Sequence, residues 1–310
     1  MENASTVPRT RLHWPEYLIE AGAIATFMVV ACVCGAVIFH PGSLVHHALG
    51  ALGGAWVQRA VMGVLMGLTL AAIVYSPWGR RSGAHLNPAF TLAFLRLGKA
   101  APRDAAGYGA AQFAGAVAGV LAARALVGAP LAHPAVRYVV TAPGAAGAAV
   151  AFAAEMAISA LQMTLVLRTA ASARWSRYTG VLAAAMVAAY VTLESPLSGM
   201  SMNPARSFGS AAVAGEWDWL WIYFAAPLAG MLAAAERFAR QARERLHHPQ
   251  QDQRQPNCGA KLAHGPAGEP CIFCEHVARR AAADEERRLP PAVRSPYSMP
   301  IGEGSRMQAK

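Results

Sequence analysis

Charged side chains are scarce in this sequence. Asp, Glu, Lys and Arg make up 14% of its 310 residues, where an average soluble protein carries about 25%. With 55% of residues hydrophobic, a mainly disordered chain is excluded and an ordinary soluble enzyme is disfavoured. Cysteine is rarer still. Of five, Cys32 and Cys34 lie in an apolar run, and Cys258, Cys271 and Cys274 lie near the C-terminal end. That is no disulfide scaffold. A cleavable leader is not expected, because the first apolar run is too long for a signal core and no small-residue cleavage site stands out. Acidic residues are the scarcer sign, 17 against 27 basic, for a formal net charge of +10. In a soluble chain that excess would point to nucleic acid. Its placement argues otherwise: residues 1–15 carry a net +1, residues 16–236 a net +4 and residues 237–310 a net +5. The excess sits in a tail and in particular loops, so no nucleic-acid partner is expected.

Long apolar runs are what the sequence has in abundance. A membrane-spanning helix needs about 20 mostly apolar residues. Six candidates occur, at about residues 17–39, 56–75, 105–127, 146–167, 178–193 and 219–235. All are rich in Ala and Gly, which let helices approach closely in lipid. Two further apolar stretches are too short to cross. One opens on Asn87-Pro88-Ala89 and the other on Asn203-Pro204-Ala205. Asn is a good N-cap, and Pro fits the first helical turn, where its missing N–H is no loss. Each stretch reads as a short helix that starts abruptly inside the membrane. Irregular backbone at that depth is tolerated only where it is buried in protein or lines a water-filled cavity. Two such half-helices at corresponding positions point to inverted repeats with a site at the midplane. The spans agree with this, since Glu20 opens the first and Glu155 the fourth. The expected fold is an all-α membrane protein: six transmembrane helices plus two re-entrant half-helices in two inverted repeats.

Orientation follows from the basic loops. Arg80, Arg81, Arg96, Lys99 and Arg103 flank the first half-helix, and Arg168, Arg174 and Arg177 separate spans four and five. Together with the Arg-rich tail they define one side, cytoplasmic by the positive-inside rule, with both termini on it. The domains expected are a cytoplasmic segment 1–15, a channel unit 16–236 and a mostly disordered cytoplasmic tail 237–310. The Ala- and Arg-rich, Lys-poor composition suggests a bacterial gene, hence an inner (plasma) membrane. Within the tail, Cys258, Cys271, Cys274 and His276 have a spacing that would suit zinc, in a small knob over 258–276. The rival reading there is a reduced tail with incidental cysteines.

Two half-helices entering from opposite faces would meet N-terminus to N-terminus. Each end carries roughly half a positive charge and unsatisfied N–H groups. Such a pair repels cations, including hydronium. The amides of Asn87 and Asn203 would donate to the oxygen of a passing water and interrupt a proton wire. Arg206 follows the second Asn-Pro-Ala, and an intramembrane Arg is costly enough to be a functional candidate by default. Glu20 and Glu155, as buried carboxylates, would accept hydrogen bonds from the backbone of the half-helix loops.

The segments SGAHLNPA (Ser82 to Ala89) and SMNPARSFG (Ser201 to Gly209) resemble the two signature loops of the aquaporin, or major intrinsic protein, family. Glu155 with Leu161 and Gln162 is similar to the family's fourth helix; Tyr108, Gln112, Gly115 and Ala116 to its third; Pro227 and Gly230 to its sixth. The resemblance covers about residues 15–236. It implies a passive channel with no required cofactor, assembled as a homotetramer in the lipid bilayer, passing water and small neutral solutes. It implies that Arg206 forms a constriction, with Met66, Val191 and Met200 as the remaining filter positions carried over by spacing. It also matches His85 to the family's loop histidine, read as a loop-positioning residue. The filter departs from the family's strict water channels, which place an aromatic on the second helix and His on the fifth. Ser207 and the Tyr223-Phe224 pair lean toward the water branch. Two rivals stand beside a water channel. One is a glycerol- or urea-type facilitator. The other is a regulatory or structural membrane protein with a nearly closed pore and a metal- or partner-binding tail.

Overall fold

The computed structural model describes residues 12–247. Ten α-helices follow in order: α1 Trp14–Phe39, α2 Leu44–Tyr75, α3 Pro77–Ser82, α4 Pro88–Arg96, α5 Pro102–Val127, α6 Ala148–Ala170, α7 Thr179–Leu193, α8 Ser195–Ser198, α9 Pro204–Ala214 and α10 Leu220–His247. No strand occurs among the described residues. The long helices α1, α2, α5, α6, α7 and α10 correspond to the six expected spans, and α4 and α9 to the two half-helices. Four of them, α1, α2, α5 and α6, are long and apolar enough by themselves to cross a membrane. Helix α7 has 15 residues, about 22 Å at 1.5 Å per residue. It is continued by the 3-10 turn Ser176–Tyr178 before it and by α8 after it.

The two halves of the chain pack alike. Helix α1 lies along α5, and α6 lies along α10; α5 contacts α9 while α10 contacts α4; α2 and α7 meet each other across the centre. Exchanging the halves leaves this pattern unchanged, which is the inverted repeat. Close approach rests on glycine at matching places. A Cβ on Gly115 of α5 would lie 2.2 Å from the carbonyl oxygen of Ala21, the residue after Glu20. A Cβ on Gly230 of α10 would lie 2.3 Å from that of Met156, the residue after Glu155. Backbones that close gain dispersion contact where lipid supplies no hydrophobic drive.

Two boundaries differ from the sequence expectation. Helix α2 begins at Leu44, ahead of the expected 56, but it is broken at Gly53 and Gly54, whose backbone leaves the helical region. Gly54, at φ 63° and ψ −149°, occupies a region that favours glycine. Residues 44–52 are a separate turn of helix outside the expected span. At the other end, α10 runs to His247 and not to about 235, because no Gly or Pro interrupts the chain after Gly230. The segment 237–247 is therefore helical among the described residues.

Candidate functional site

Helices α4 and α9 start at Pro88 and Pro204, each in the first turn, with Ala89 and Ala205 buried behind them. Asn87 caps α4: its Oδ1 accepts from the Ala89 N–H at 2.9 Å. Asn203 caps α9, accepting from Ala205 at 3.0 Å and Arg206 at 3.3 Å. Their amide nitrogens reach across the centre. Asn87 Nδ2 donates to the Met202 carbonyl at 2.7 Å, and Asn203 Nδ2 donates to the Leu86 carbonyl at 2.8 Å. Each cap therefore ties down the opposite loop. Of the two N–H bonds on each amide, one is committed in this way, a bond that spacing alone did not reveal.

The loops ahead of the caps are strained. Gly83 and Gly199 are left-handed, and so are Ala84, Leu86, Met200 and Met202, at φ between 47° and 54°. A non-glycine residue there costs about 1–2 kcal/mol. A buried carboxylate holds each loop in that shape. Glu20 accepts from Ser82 Oγ at 2.8 Å, His85 N at 3.0 Å, Leu86 N at 2.6 Å and Gln112 Nε2 at 2.8 Å. Glu155 accepts from Ser198 Oγ at 2.8 Å, Ser201 N at 2.6 Å and Met202 N at 2.7 Å. Both carboxylates are fully buried. A tyrosine closes each cradle from behind: Tyr108 Oη donates to Ser82 O at 2.7 Å and Tyr223 Oη to Ser198 O at 2.6 Å. His85 is buried against Phe90, Phe94 and Tyr108, with Nδ1 3.0 Å from Thr91 Oγ1.

One cavity of about 330 Å³ runs past these caps. It is lined at its centre by Asn87 and Asn203, and also by Met66, Val191, Met200, Arg206 and His85. Arg206 stands in the first turn of α9. Its Nη1 is buried with no hydrogen-bond partner, and no ion pair involves it among the described residues. A guanidinium facing a cavity without a carboxylate offers donors to whatever enters. Glu20, Glu155 and the Pro-Ala pairs stand behind the wall and not in it.

Residues 11–238 match the family model described as major intrinsic protein. The chain belongs to that family. Among its relatives, Aquaporin NIP1-3 of Oryza sativa subsp. japonica is 36% identical over 219 residues, 70% of this chain and 71% of that protein. Aquaporin NIP3-1 of Zea mays is 41% identical over 174 residues, 54% of this chain and 55% of that protein. The X-ray structure of the aquaglyceroporin from Plasmodium falciparum has the same fold, with a TM-score of 0.63 at 15% identity, covering 76% of this chain and 100% of that one. This aquaporin-family chain is thus a multi-pass membrane channel and not an enzyme. The relatives named here are plant proteins, and they give no support to the bacterial source suggested by composition.

Some lining residues of the channel were not singled out from the sequence. Arg59, Met62, Leu70 and Val74 share the cavity face of α2 with Met66. Their spacing of three and four is the helical signal that would have found them. Thr179, Ala183 and Val187 share the face of α7 with Val191, four residues apart each time. Gln162 of α6 also faces the cavity. The zinc candidates Cys258, Cys271, Cys274 and His276 lie outside the described residues.

Proposed function

We propose that the cavity is a pore for water and small neutral solutes that excludes cations and protons. The observation that carries this reading is the meeting of two capped helix N-termini, Asn87 and Asn203, in the wall of one cavity that Arg206 also lines. Both helix ends are positive, and Arg206 adds a full charge on the same wall. A cation entering meets repulsion with no carboxylate in the cavity wall to offset it. Neutral solutes find the remaining N–H of each Asn and the donors of Arg206.

In this reading the filter is Met66, Val191, Met200 and Arg206: three apolar side chains and one donor. Methionine is flexible and polarizable, so the opening adapts, and passage extends beyond water to small uncharged molecules. His85, Glu20 and Glu155 hold the loops. The channel unit is residues 16–236, working as a homotetramer in a plasma membrane with both termini cytoplasmic. The basic loops support that orientation, because contacts gather them at one end. Tyr75 Oη donates to Arg177 O at 2.8 Å, Arg81 pairs with Glu16 at 2.9 Å, and Arg96 pairs with Glu236.

Stopped-flow light scattering on proteoliposomes tests the proposal. Osmotic shrinkage at least about tenfold faster than in empty vesicles is expected, with no added proton leak. Shrinkage at the empty-vesicle rate would refute a working pore.

A further inference from the structure

Buried polar atoms without partners are few among the described residues, and three belong to residues of the cavity wall: Arg206 Nη1, Gln162 Oε1 and Thr179 Oγ1. Arg206 stands on one side of the Asn pair. Gln162 and Thr179 stand on the other, near the end where α2 and α6 finish and α7 begins. Both are more than nine-tenths buried, at 7% and 3% exposure.

The orientation of Gln162 is fixed chemically. Its Nε2 donates to the Ala183 carbonyl at 3.3 Å. A carbonyl accepts only from the NH2 group, so the free atom of the amide is the oxygen. Ala183 is one turn along α7 from Thr179 on the same face, about 6 Å of rise, so Gln162 and Thr179 meet the cavity along the same stretch of α7. The Thr179 hydroxyl differs from other helical threonines of the chain. Thr26, Thr69, Thr164 and Thr192 each donate to the carbonyl four residues back in their own helix. Thr179 is the first residue of α7, and behind it lies a 3-10 turn and not an α-helical one. An unmade hydrogen bond in a buried site costs about 1–3 kcal/mol, so two on residues of one cavity wall mark where a ligand completes the structure.

We propose that Gln162 Oε1 and Thr179 Oγ1 form a solute-binding station in this half of the pore, one that takes a neutral molecule bearing two hydrogen-bond donors, a small polyol or a carbamide. The inference rests on the cavity being a pore. A solute stripped of water regains two hydrogen bonds there after passing the donors of Arg206 and the Asn pair. The station thus lowers the desolvation barrier of a polyol or amide. Water depends on it less, because neighbouring waters in the file also accept its protons.

Full-length wild type, Gln162→Met, Thr179→Val and Thr179→Ser in proteoliposomes separate the outcomes, with glycerol, urea and sucrose gradients read by stopped flow. Each of the first two variants should lower glycerol and urea flux about fivefold, the size of one net hydrogen bond. Their water flux should stay within about twofold of wild type, and Thr179→Ser should match wild type. Retained water flux also reports that a variant is folded, and either variant alone suffices if the other is not. An unchanged ratio of glycerol to water flux in the folded variants overturns the station. So does a wild type that passes water but neither glycerol nor urea. A wild type that passes no water fails differently, because it removes the pore reading itself.

Discussion

The two halves of this channel build the same cradle with different fourth members. In the first half, Glu20 receives a serine hydroxyl, two backbone N–H groups and the amide of Gln112. In the second, Glu155 receives the serine hydroxyl and two backbone N–H groups. The place four residues after the cradle tyrosine, Gln112 after Tyr108, is Pro227 after Tyr223, which has no donor. What the second half has instead is Arg206 in the first turn of its half-helix. Hydroxyls add a small network there: Ser207 Oγ lies 2.7 Å from Thr141 Oγ1 and 2.6 Å from Ser201 Oγ. The parts common to both halves hold the strained loops, and among the parts that differ Arg206 lines the cavity. Shape is symmetric here, and the proposed selectivity lies where the symmetry breaks.

The largest effect should come from the shared part. Glu20→Ala leaves three buried donors without an acceptor, since Gln112 Nε2 keeps Thr91 Oγ1 at 3.3 Å, and Glu155→Ala also leaves three, each worth about 1–3 kcal/mol. The left-handed residues Ala84, Leu86, Met200 and Met202 would lose what holds them. Both variants should lose the monodisperse folded peak in detergent. If one folds as well as wild type, the halves are not equivalent supports. Next comes the broken symmetry. Arg206→Val should leave the fold intact and raise passage of larger or charged solutes by about tenfold or more, since it removes the charge opposing cations. Unchanged permeability in stopped-flow and leak assays would take Arg206 out of the constriction.

Much of this symmetry was readable in the sequence, and the reasons are local. Asn-Pro-Ala announces a capped helix start wherever it occurs, so Asn87 and Asn203 with their half-helices were visible from residue chemistry. Glu20 and Glu155 were visible because a carboxylate in an apolar run demands donors. Other features depend on distance across the fold. The bonds from each Asn amide to the opposite loop join residues 115 and 117 apart, and no local pattern encodes them. Nor does composition reveal that Gln112 serves Glu20, or that Thr179 and Gln162 share a wall. The helix over residues 44–52 is not legible in the sequence, because His46, His47 and Gly50 interrupt its apolar run. The helical reach of α10 to His247 was missed because charge was read as the end of order, when charge ends only burial.

Gln112→Leu measures the first half's extra donor. It removes a 2.8 Å bond to Glu20, worth about 1.5–3 kcal/mol for a charged acceptor. It also removes Gln112 Oε1, which is buried with no partner, and that relief offsets part of the loss. A net destabilisation of about 1 kcal/mol is expected, seen as a lower thermal midpoint in detergent. A change several times larger would mean that the second half's three-donor cradle is not a sufficient design for the first.

The smallest effect concerns the joint that leads into each short helix before the loops. In the first half this N-cap is Ser76, whose Oγ accepts from Gly79 N at 2.9 Å and donates to Ile73 O at 2.7 Å. In the second it is Glu194, 7% exposed, with neither carboxylate oxygen hydrogen-bonded. Burial pushes its carboxyl up to about 7; the nearby Ser198 hydroxyl opposes the rise, and the charge of Glu155 adds to it. The raised value fixes the sign. The folded protein holds this proton more tightly than the unfolded chain, whose carboxylates titrate near 4.3. The stability so gained is fully present below that range and is lost as pH rises through about 7. The thermal midpoint should fall between about pH 5 and pH 8.5 as that proton is lost. Glu194→Ser rebuilds the first half's joint in the second. It should flatten that slope and raise the midpoint at the alkaline end, because a serine hydroxyl carries no charge to bury. If the slope persists in Glu194→Ser, the pH dependence belongs to another group, and the two joints are equally settled in spite of their different residues.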